Sequence, residues 1–399
     1  MEIRKIKPEE NVLASLVDTI VFLEEKEDYK EQLENPADHS EGYENTWAGF
    51  NDAGKICSVL SVYGYEIRFD GHTVGMGGIA GVGTLPEARN SGYIRRIFEK
   101  ALPAMKEEGK VVSFLYPSSF EFYRKFGYEL CYAPNRVTIP MDSFRGYPFP
   151  RGITQYFPGD DIAGFVDVYD RFIRDKNFAV VRDAEAMKER LDKDPYTEKH
   201  YAYLHRDADS RADSYIFFHA EDEDDDERIF NVIEMAWTSV SGLRAIFGFI
   251  GGLAPEFGNL KWDAPRSINI AALFPNCYDI EANLPAYGMC RVVDVPRALE
   301  LMKAPEQPGR AVIRVTDKII QSNDGVYSIE WENGAVSSVK RTDNNKESDL
   351  TVDIETFTQL VTGFLSIDEA KYKPAAICRH ELSVRALFPH KNMYIAEWF

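Results

Sequence analysis

Between residues 75 and 92 the chain runs Gly75-Met-Gly-Gly-Ile-Ala-Gly-Val-Gly-Thr84, breaks at Pro86, and passes through Arg89-Asn-Ser-Gly92 into an amphipathic stretch. Glycines at 75, 77, 78, 81 and 83 weaken an ordinary strand, so they mark a bulge or a place where a ligand approaches the backbone closely. Ile94, Ile97, Phe98, Ala101 and Leu102 recur at helical spacing and predict a helix that starts near Gly92 and faces a core. The N-terminus of such a helix presents unpaired amides and the positive end of the helix dipole, which together favour an anion such as a pyrophosphate. Taken in isolation, the same string is also an ordinary strand-to-helix turn.

The surroundings extend this unit. Val12, Leu13, Leu16, Val17, Ile20 and Val21 have helical spacing, and a polar, charged stretch follows to about Asn45. Strands over Thr46–Phe50 and Lys55–Tyr65 flank the turn Asn51-Asp-Ala-Gly54, and Phe69-Asp-Gly-His72 marks a second hairpin. Val111–Tyr116 reads as a buried strand stopped by Pro117. Ser119–Lys125 reads as a short helix with a serine cap, ended by Gly127.

Strand, proline, Arg89-x-x-Gly92-x-x-Arg95, helix, strand and then Phe122-Tyr-Arg-Lys-Phe-Gly-Tyr128 resembles an N-acetyltransferase of the GNAT superfamily. The Leu85-Pro86 spacing, the Tyr-x-x-Phe-Gly-Tyr block and the ending Glu397-Trp-Phe399 more narrowly resemble the Eis-like (enhanced intracellular survival) branch. The resemblance implies an α/β (α+β) chain: two GNAT acyltransferase folds in tandem, then a sterol-carrier-like α+β domain. It implies acetyl-CoA as co-substrate, with pantetheine along Val82, Gly83 and Thr84, and pyrophosphate on Arg89, Asn90, Ser91, Gly92, Tyr93 and Ile94. It adds Ser118 to the cofactor-binding residues.

For chemistry, the resemblance casts Tyr123 as general acid and the α-carboxylate of Phe399 as proton acceptor. A phenol of pKa ~10 is protonated at neutral pH and suits a leaving thiolate, and a terminal carboxylate of pKa ~3.5 is ionised and suits an ammonium proton. Each residue also has a plain structural reading: Tyr123 packing on its short helix, and Ile395-Ala-Glu-Trp-Phe399 closing the last domain as an edge strand. The catalytic and edge-strand readings of the terminus predict the same burial but differ in its location, since catalysis requires the carboxylate in the cleft of the first domain. Two departures from the family pattern are Ile94, where Gly or Ala is common, and the bulky Ser118-Ser-Phe-Glu-Phe122. They leave the acceptor open, with Phe22, Glu24, Glu25, Trp47 and Glu397 as candidate walls of an amine pocket.

At 399 residues the chain exceeds a single core and predicts two or three domains. A formal charge of −19 repels nucleic acid and anionic membrane surfaces and favours small cationic amines: aminoglycosides, polyamines or lysine-like groups. The first residues have no apolar leader pattern and no apolar run is long enough to span a bilayer, so a cytoplasmic protein is expected. Cys57, Cys131, Cys277, Cys290 and Cys378 are scattered, and His200 with His205 lacks a third ligand, so reduced thiols and no metal are expected. The resemblance adds a homo-oligomer, possibly a hexamer.

Three segments follow: 1–143 binding acetyl-CoA, 144–286 a second GNAT-like unit, and 287–399 like a sterol carrier protein type 2 domain. In the second, helices are predicted over Ile162–Arg174, Ala184–Asp192 and Ser241–Gly251, and strands over Tyr201–His205, Ser214–His219, Ile229–Trp237 and Ile268–Ala272. No Arg-x-x-Gly loop precedes the Ser241 helix, so it offers no second pyrophosphate site. The acidic run 221–227 lacks the glycine and alternating ligands of a calcium loop and reads as a solvated turn. The third segment predicts strands near 311–317, 326–331, 335–340 and 350–354 and a helix from Ile354 to about Leu365, acting as a scaffold that positions the C-terminus. A lipid or acyl carrier beside a vestigial CoA-binding domain is the alternative.

Overall fold

Glycine-rich and β-branched runs become long strands, and the amphipathic runs become helices that cover them. The computed structural model describes residues 1–23, 33–35, 42–223, 227–342 and 347–399, arranged around three sheets. Glu24 and Glu25 lie outside the described residues, as does the middle of the 221–227 run.

The first unit contributes β1 (Glu2–Lys5), α1 (Asn11–Phe22), β2 (Thr46–Phe50), β3 (Ile56–Phe69), β4 (His72–Thr84), α2 (Tyr93–Glu107), β5 (Lys110–Leu115), α3 (Phe120–Arg124) and β6 (Glu129–Tyr132). β3 and β4 form a long hairpin across Asp70-Gly71, both at positive φ (49° and 92°), a two-residue turn whose twist matches its strands. α2 turns Ile97, Phe98, Ala101, Leu102 and Met105 into the core. β4 pairs with β5 in parallel only as far as Ile79 opposite Leu115. Beyond that point the two strands part.

The second unit repeats the plan with β7 (Asn135–Pro140), β8 (Ile153–Gln155), α4 (Ala163–Phe172), α5 (Ala184–Leu191), β9 (His200–Arg206), β10 (Ala212–Glu223), β11 (Glu227–Trp237), α6 (Val240–Gly252), β12 (Asn259–Ala264), β13 (Glu281–Asn283) and β14 (Gly288–Val292). β10 and β11 form the hairpin, α6 follows, and β12 runs parallel to β11 from Ile229–Val232 opposite Asn259–Trp262. The units exchange strands: β7 pairs with β12 in the second sheet, and β14 lies between β5 and β6 in the first. A cut at 143 or 286 therefore separates each of these strands from its sheet.

Two local expectations change. Ile268–Ala272 is not a strand; a short 3-10 turn occupies Ile270–Leu273, and only Ile270 in it is buried. The strand here is β12, where Leu260, Trp262 and Ala264 alternate inward while Lys261 and Asp263 sit half-buried between them. A short apolar run does not distinguish strand from turn, and the two charges obscure β12's period of two.

The last unit has α7 (Val295–Leu301), β15 (Gly309–Thr316), β16 (Gly325–Glu332), β17 (Ala335–Thr342), β18 (Leu350–Asp353), α8 (Ile354–Val361) and β19 (Ile377–Cys378). Its sheet runs β17-β16-β15-β18-β19. α8 docks on the first sheet: the Val292 amide donates to Thr358 Oγ1 at 3.0 Å and Gln359 Nε2 to the Leu130 carbonyl at 2.7 Å. From there the tail passes between the first two units, the Asn177 amide donating to the Asn392 carbonyl at 2.7 Å and the Tyr394 amide to the Asn177 carbonyl at 2.9 Å.

Candidate active site

The loop after β4 is built for an anion. Asn90 and Gly92 take positive φ (61° and 81°), which turns the chain into α2 with no side-chain cap on its first amides. A Cβ at Gly92 would meet nothing within 4 Å, so the loop's concave side is open. The first-turn amides have no partner inside the helix by geometry. Among the described residues, the exposed Arg89 head makes a long 3.4 Å contact back to the Thr84 carbonyl, which leaves its charge at the loop's mouth.

The glycines upstream produce the bulge they predict. Ser61 faces Ala80 and Val59 faces Gly83, so one residue of β3 opposes two of β4, with Gly81 at φ 55°. Asp18 of α1 occupies the space over this bend: a Cβ on Gly81 would lie 3.1 Å from its Oδ2, and one on Gly83 3.4 Å from its Oδ1.

Where β4 and β5 part, a cavity of about 750 Å³ opens. It is walled by Val82 and Thr84 of β4, by the Arg89, Asn90, Gly92 and Ile94 stretch, and by Ser118 and Tyr123 across from them. Sequence positions some forty apart thus share one space. Tyr123 is held by the ring of Phe98 (6.3 Å, edge-on), and its helix is capped by Ser119, whose Oγ accepts from the Phe122 amide. Burial pushes the Tyr123 phenol above its usual value, while a hydrogen bond with Ser118 opposes the rise. The proton is held firmly.

Some expected residues have other duties. The Tyr93 ring is buried against Gly49, so only its backbone faces the loop. The Gly83 carbonyl accepts from Ser58 Oγ at 2.8 Å, and Trp47 lies beneath the Lys5 ammonium, 5.8 Å away. Phe22 is exposed at the end of α1. Conversely, Lys125 lines the cavity although its position suggested nothing. Neighbouring Arg124 is committed to Glu129 at 2.8 Å, and one residue's rotation on a short helix separates the two fates.

The terminus is docked. The Phe399 ring lies against Tyr65 (5.1 Å), Tyr116 (5.6 Å) and Phe114 (6.1 Å), and a Cβ on Gly78 would be 2.9 Å from it. Tyr116 follows the last paired residue of β5 and Gly78 precedes that of β4, so the ring sits at the apex of the splay. Glu397 is buried against Arg182, 2.7 Å from its Nε, and its carbonyl accepts from Tyr116 Oη at 2.7 Å. Beside the tail, a cleft of about 520 Å³ is rimmed by Tyr65, Glu66, Asp183 and Glu189. Among the described residues, no cluster of His, Cys, Asp or Glu is placed to hold a metal ion, and no helix is long and apolar enough to cross a membrane.

Family models agree with this geometry. Residues 2–131 match an acetyltransferase (GNAT) domain, residues 179–292 match a second one, and residues 295–373 match a sterol carrier protein domain. This chain is a GNAT acetyltransferase. An uncharacterized N-acetyltransferase from Streptomyces avermitilis is 24% identical to it over 289 residues, covering 68% of each chain. A GCN5-related N-acetyltransferase from Anabaena variabilis superposes over the full length of both chains with TM-score 0.85 at 21% identity. Eis1 from Mycobacterium abscessus does so with TM-score 0.80 at 17% identity. The tandem arrangement of this acetyltransferase is therefore an Eis-like fold.

Proposed function

We propose that this GNAT acetyltransferase transfers acetyl from acetyl-CoA to an amine by direct attack in a ternary complex. The observation that carries the reading is the single cavity joining the open helix N-terminus at Gly92, the splayed strand at Val82–Thr84 and the Tyr123 phenol. Arg89, Arg95 and Lys125 supply positive charge at its rim for phosphates, and the first-turn amides of α2 add directed donors. Bound acetyl-CoA would supply the thioester.

Tyr123 gives its proton to the departing thiolate, a role suited to a phenol that burial keeps neutral. The terminal carboxylate of Phe399, whose ring lies at the apex of the splay, accepts the proton that the amine gives up as its lone pair attacks the thioester, directly or through a water. The acceptor is cationic: Glu66, Asp183 and Glu189 on the rim of the neighbouring cleft agree with the chain's −19 charge in favouring aminoglycoside, polyamine or lysine-like amines.

The test is thiol release from acetyl-CoA in the presence of spermidine, lysine and an aminoglycoside. Tyr123→Phe is expected to lower kcat by ~10²- to 10⁴-fold while acetyl-CoA affinity stays close to the original. Full turnover by that variant would remove Tyr123 from the chemistry. Fatty-acid binding without thiol release from any amine would overturn the enzyme reading in favour of a carrier.

A further inference from the structure

The second acetyltransferase fold also has a splay, and the C-terminal tail enters it. β11 and β12 stop pairing at Val232 opposite Trp262, the same place in the topology at which β4 and β5 part. About 70 Å³ remains among Ile233, Glu234 and Met235 of β11, Trp262 and Asp263 of β12 and Tyr394–Ala396 of the tail, and a cleft of about 540 Å³ opens beside it along Val232, Ile233, Asp263, Ala396 and Trp398. The segment that enters the splay of the second fold is the one that carries the Phe399 ring to β4 and β5 of the first.

A buried arginine fixes this segment. Arg182 donates from both terminal nitrogens to Glu234, at 2.8 and 2.7 Å, and from Nε to Glu397 at 2.7 Å. Tyr215 Oη donates to Glu234 at 2.5 Å, and Arg190 bridges Glu234 at 3.0 Å and the Ala396 carbonyl at 3.3 Å. A buried ion pair is a poor way to gain stability, since an apolar replacement often does as well. A planar guanidinium fork is a good way to gain direction, because it fixes both distance and angle of its partners. Glu397 lies two residues from the terminus, so with at most ~3.5 Å per residue its placement limits the carboxylate to a small volume.

We propose that the second fold is a holder for the C-terminal tail, with Arg182 and Glu397 as positioning residues that set where the Phe399 carboxylate lies in the first fold's cleft. The inference rests on the reading of that carboxylate as the proton acceptor. It gives the second unit a task in the reaction: it orients the base.

The test uses the full-length enzyme with acetyl-CoA and spermidine. Glu397→Gln keeps the Arg182–Glu234 pair and is the mild variant; Arg182→Gln is the stronger one. Each is expected to lower kcat about 10- to 100-fold with acetyl-CoA KM unchanged, to regain rate when formate or acetate is added as an external base, and to release Phe399 to carboxypeptidase faster than the parent. A parallel variant extended by one residue after Phe399 separates the two ideas. If extension abolishes turnover while Glu397→Gln and Arg182→Gln work at the parental rate with a protected tail, the holder is overturned and the base stands. If the extended protein turns over fully, the base reading falls and the holder's role in the reaction falls with it.

Discussion

The two acetyltransferase folds have the same hairpin, helix and parallel strand, and they differ in what occupies two places. In the first fold the helix begins at Gly92 with no side-chain cap and open space on its concave side. In the second, Ser239 Oγ accepts from the Gly242 amide at 3.0 Å, and a Cβ on Gly242 would lie 2.9 Å from the Asp213 carbonyl and 3.1 Å from its Oδ2. Asp213 is buried and paired with His205 Nδ1 at 2.6 Å. A phosphate approaching this helix would meet a filled cap and a carboxylate. The strand splays differ in occupancy: the first fold keeps a cavity of about 750 Å³, whereas in the second the C-terminal tail enters the splay, leaving pockets of about 70 and 540 Å³ against it. Capacity for an anion thus resides in what the helix start leaves open, not in the fold.

The contrast predicts opposite consequences for mutation. Glu234→Ala removes a fully buried partner of Arg182, and losing one member of a buried pair costs about 3–5 kcal/mol, so thermal unfolding should show a large drop in Tm. Arg89→Ala in the open loop removes a long, weak contact to the Thr84 carbonyl and should leave Tm unchanged. It should raise acetyl-CoA KM ~10- to 100-fold, since a charge-assisted hydrogen bond contributes about 1.5–3 kcal/mol. The KM effect should shrink at high salt. If Arg89→Ala destabilised the protein and Glu234→Ala did not, the division between a binding fold and a holding fold would fail.

Much of the first fold is legible in the sequence because its signals are local. The glycines of β4 predict the bulge at Gly81, and the Arg89-x-x-Gly92 spacing predicts the positive-φ entry to α2. The strand exchange is not legible. β7 and β14 are each ordinary short strands, and pairing across more than a hundred residues leaves no periodic trace. The destination of Glu397 is hidden for a related reason: as a lone glutamate in an aromatic tail it suggests an acceptor contact, while its partner Arg182 lies 215 residues away. Lys125 differs from Arg124 only by rotation about a five-residue helix, which spacing alone does not resolve.

A smaller effect is expected at the closed helix start. Asp213→Asn keeps the size of the side chain but weakens its bond to His205, and a buried charged hydrogen bond contributes about 1.5–3 kcal/mol, so Tm should fall by several degrees. Acetyl-CoA KM should not move. A tighter acetyl-CoA interaction in this variant, measured by calorimetry as a second site, would show that the carboxylate alone keeps the second fold empty.

Acid separates the halves further. Desolvation alone would raise the Glu234 carboxyl, but Arg182 and Arg190 outweigh it and hold the group down to about 2, against an ordinary 4.5. A depressed carboxyl stabilises the fold above the unfolded value and loses that contribution as pH falls through the folded one. Protection of the tail from acid-stable carboxypeptidase should therefore persist from neutrality to about pH 4.5 and weaken toward pH 2. Glu234→Gln should remove that pH dependence.

The last effect is an absence. Because burial raises the Tyr123 phenol above 10, the group stays protonated through the neutral and mildly alkaline range. Its neutral form is favoured in the fold, so ionisation is delayed rather than advanced, and kcat should show no alkaline decline attributable to this residue below pH 10. Ser118 opposes the rise by hydrogen bonding to the phenol oxygen. Ser118→Ala should therefore move the alkaline limb of kcat further up, while leaving in place an acid limb set by the proposed proton acceptor. A limb that moves down in Ser118→Ala, or an acid limb that moves with it, would mean that Tyr123 and the terminal carboxylate do not act as separate acid and base.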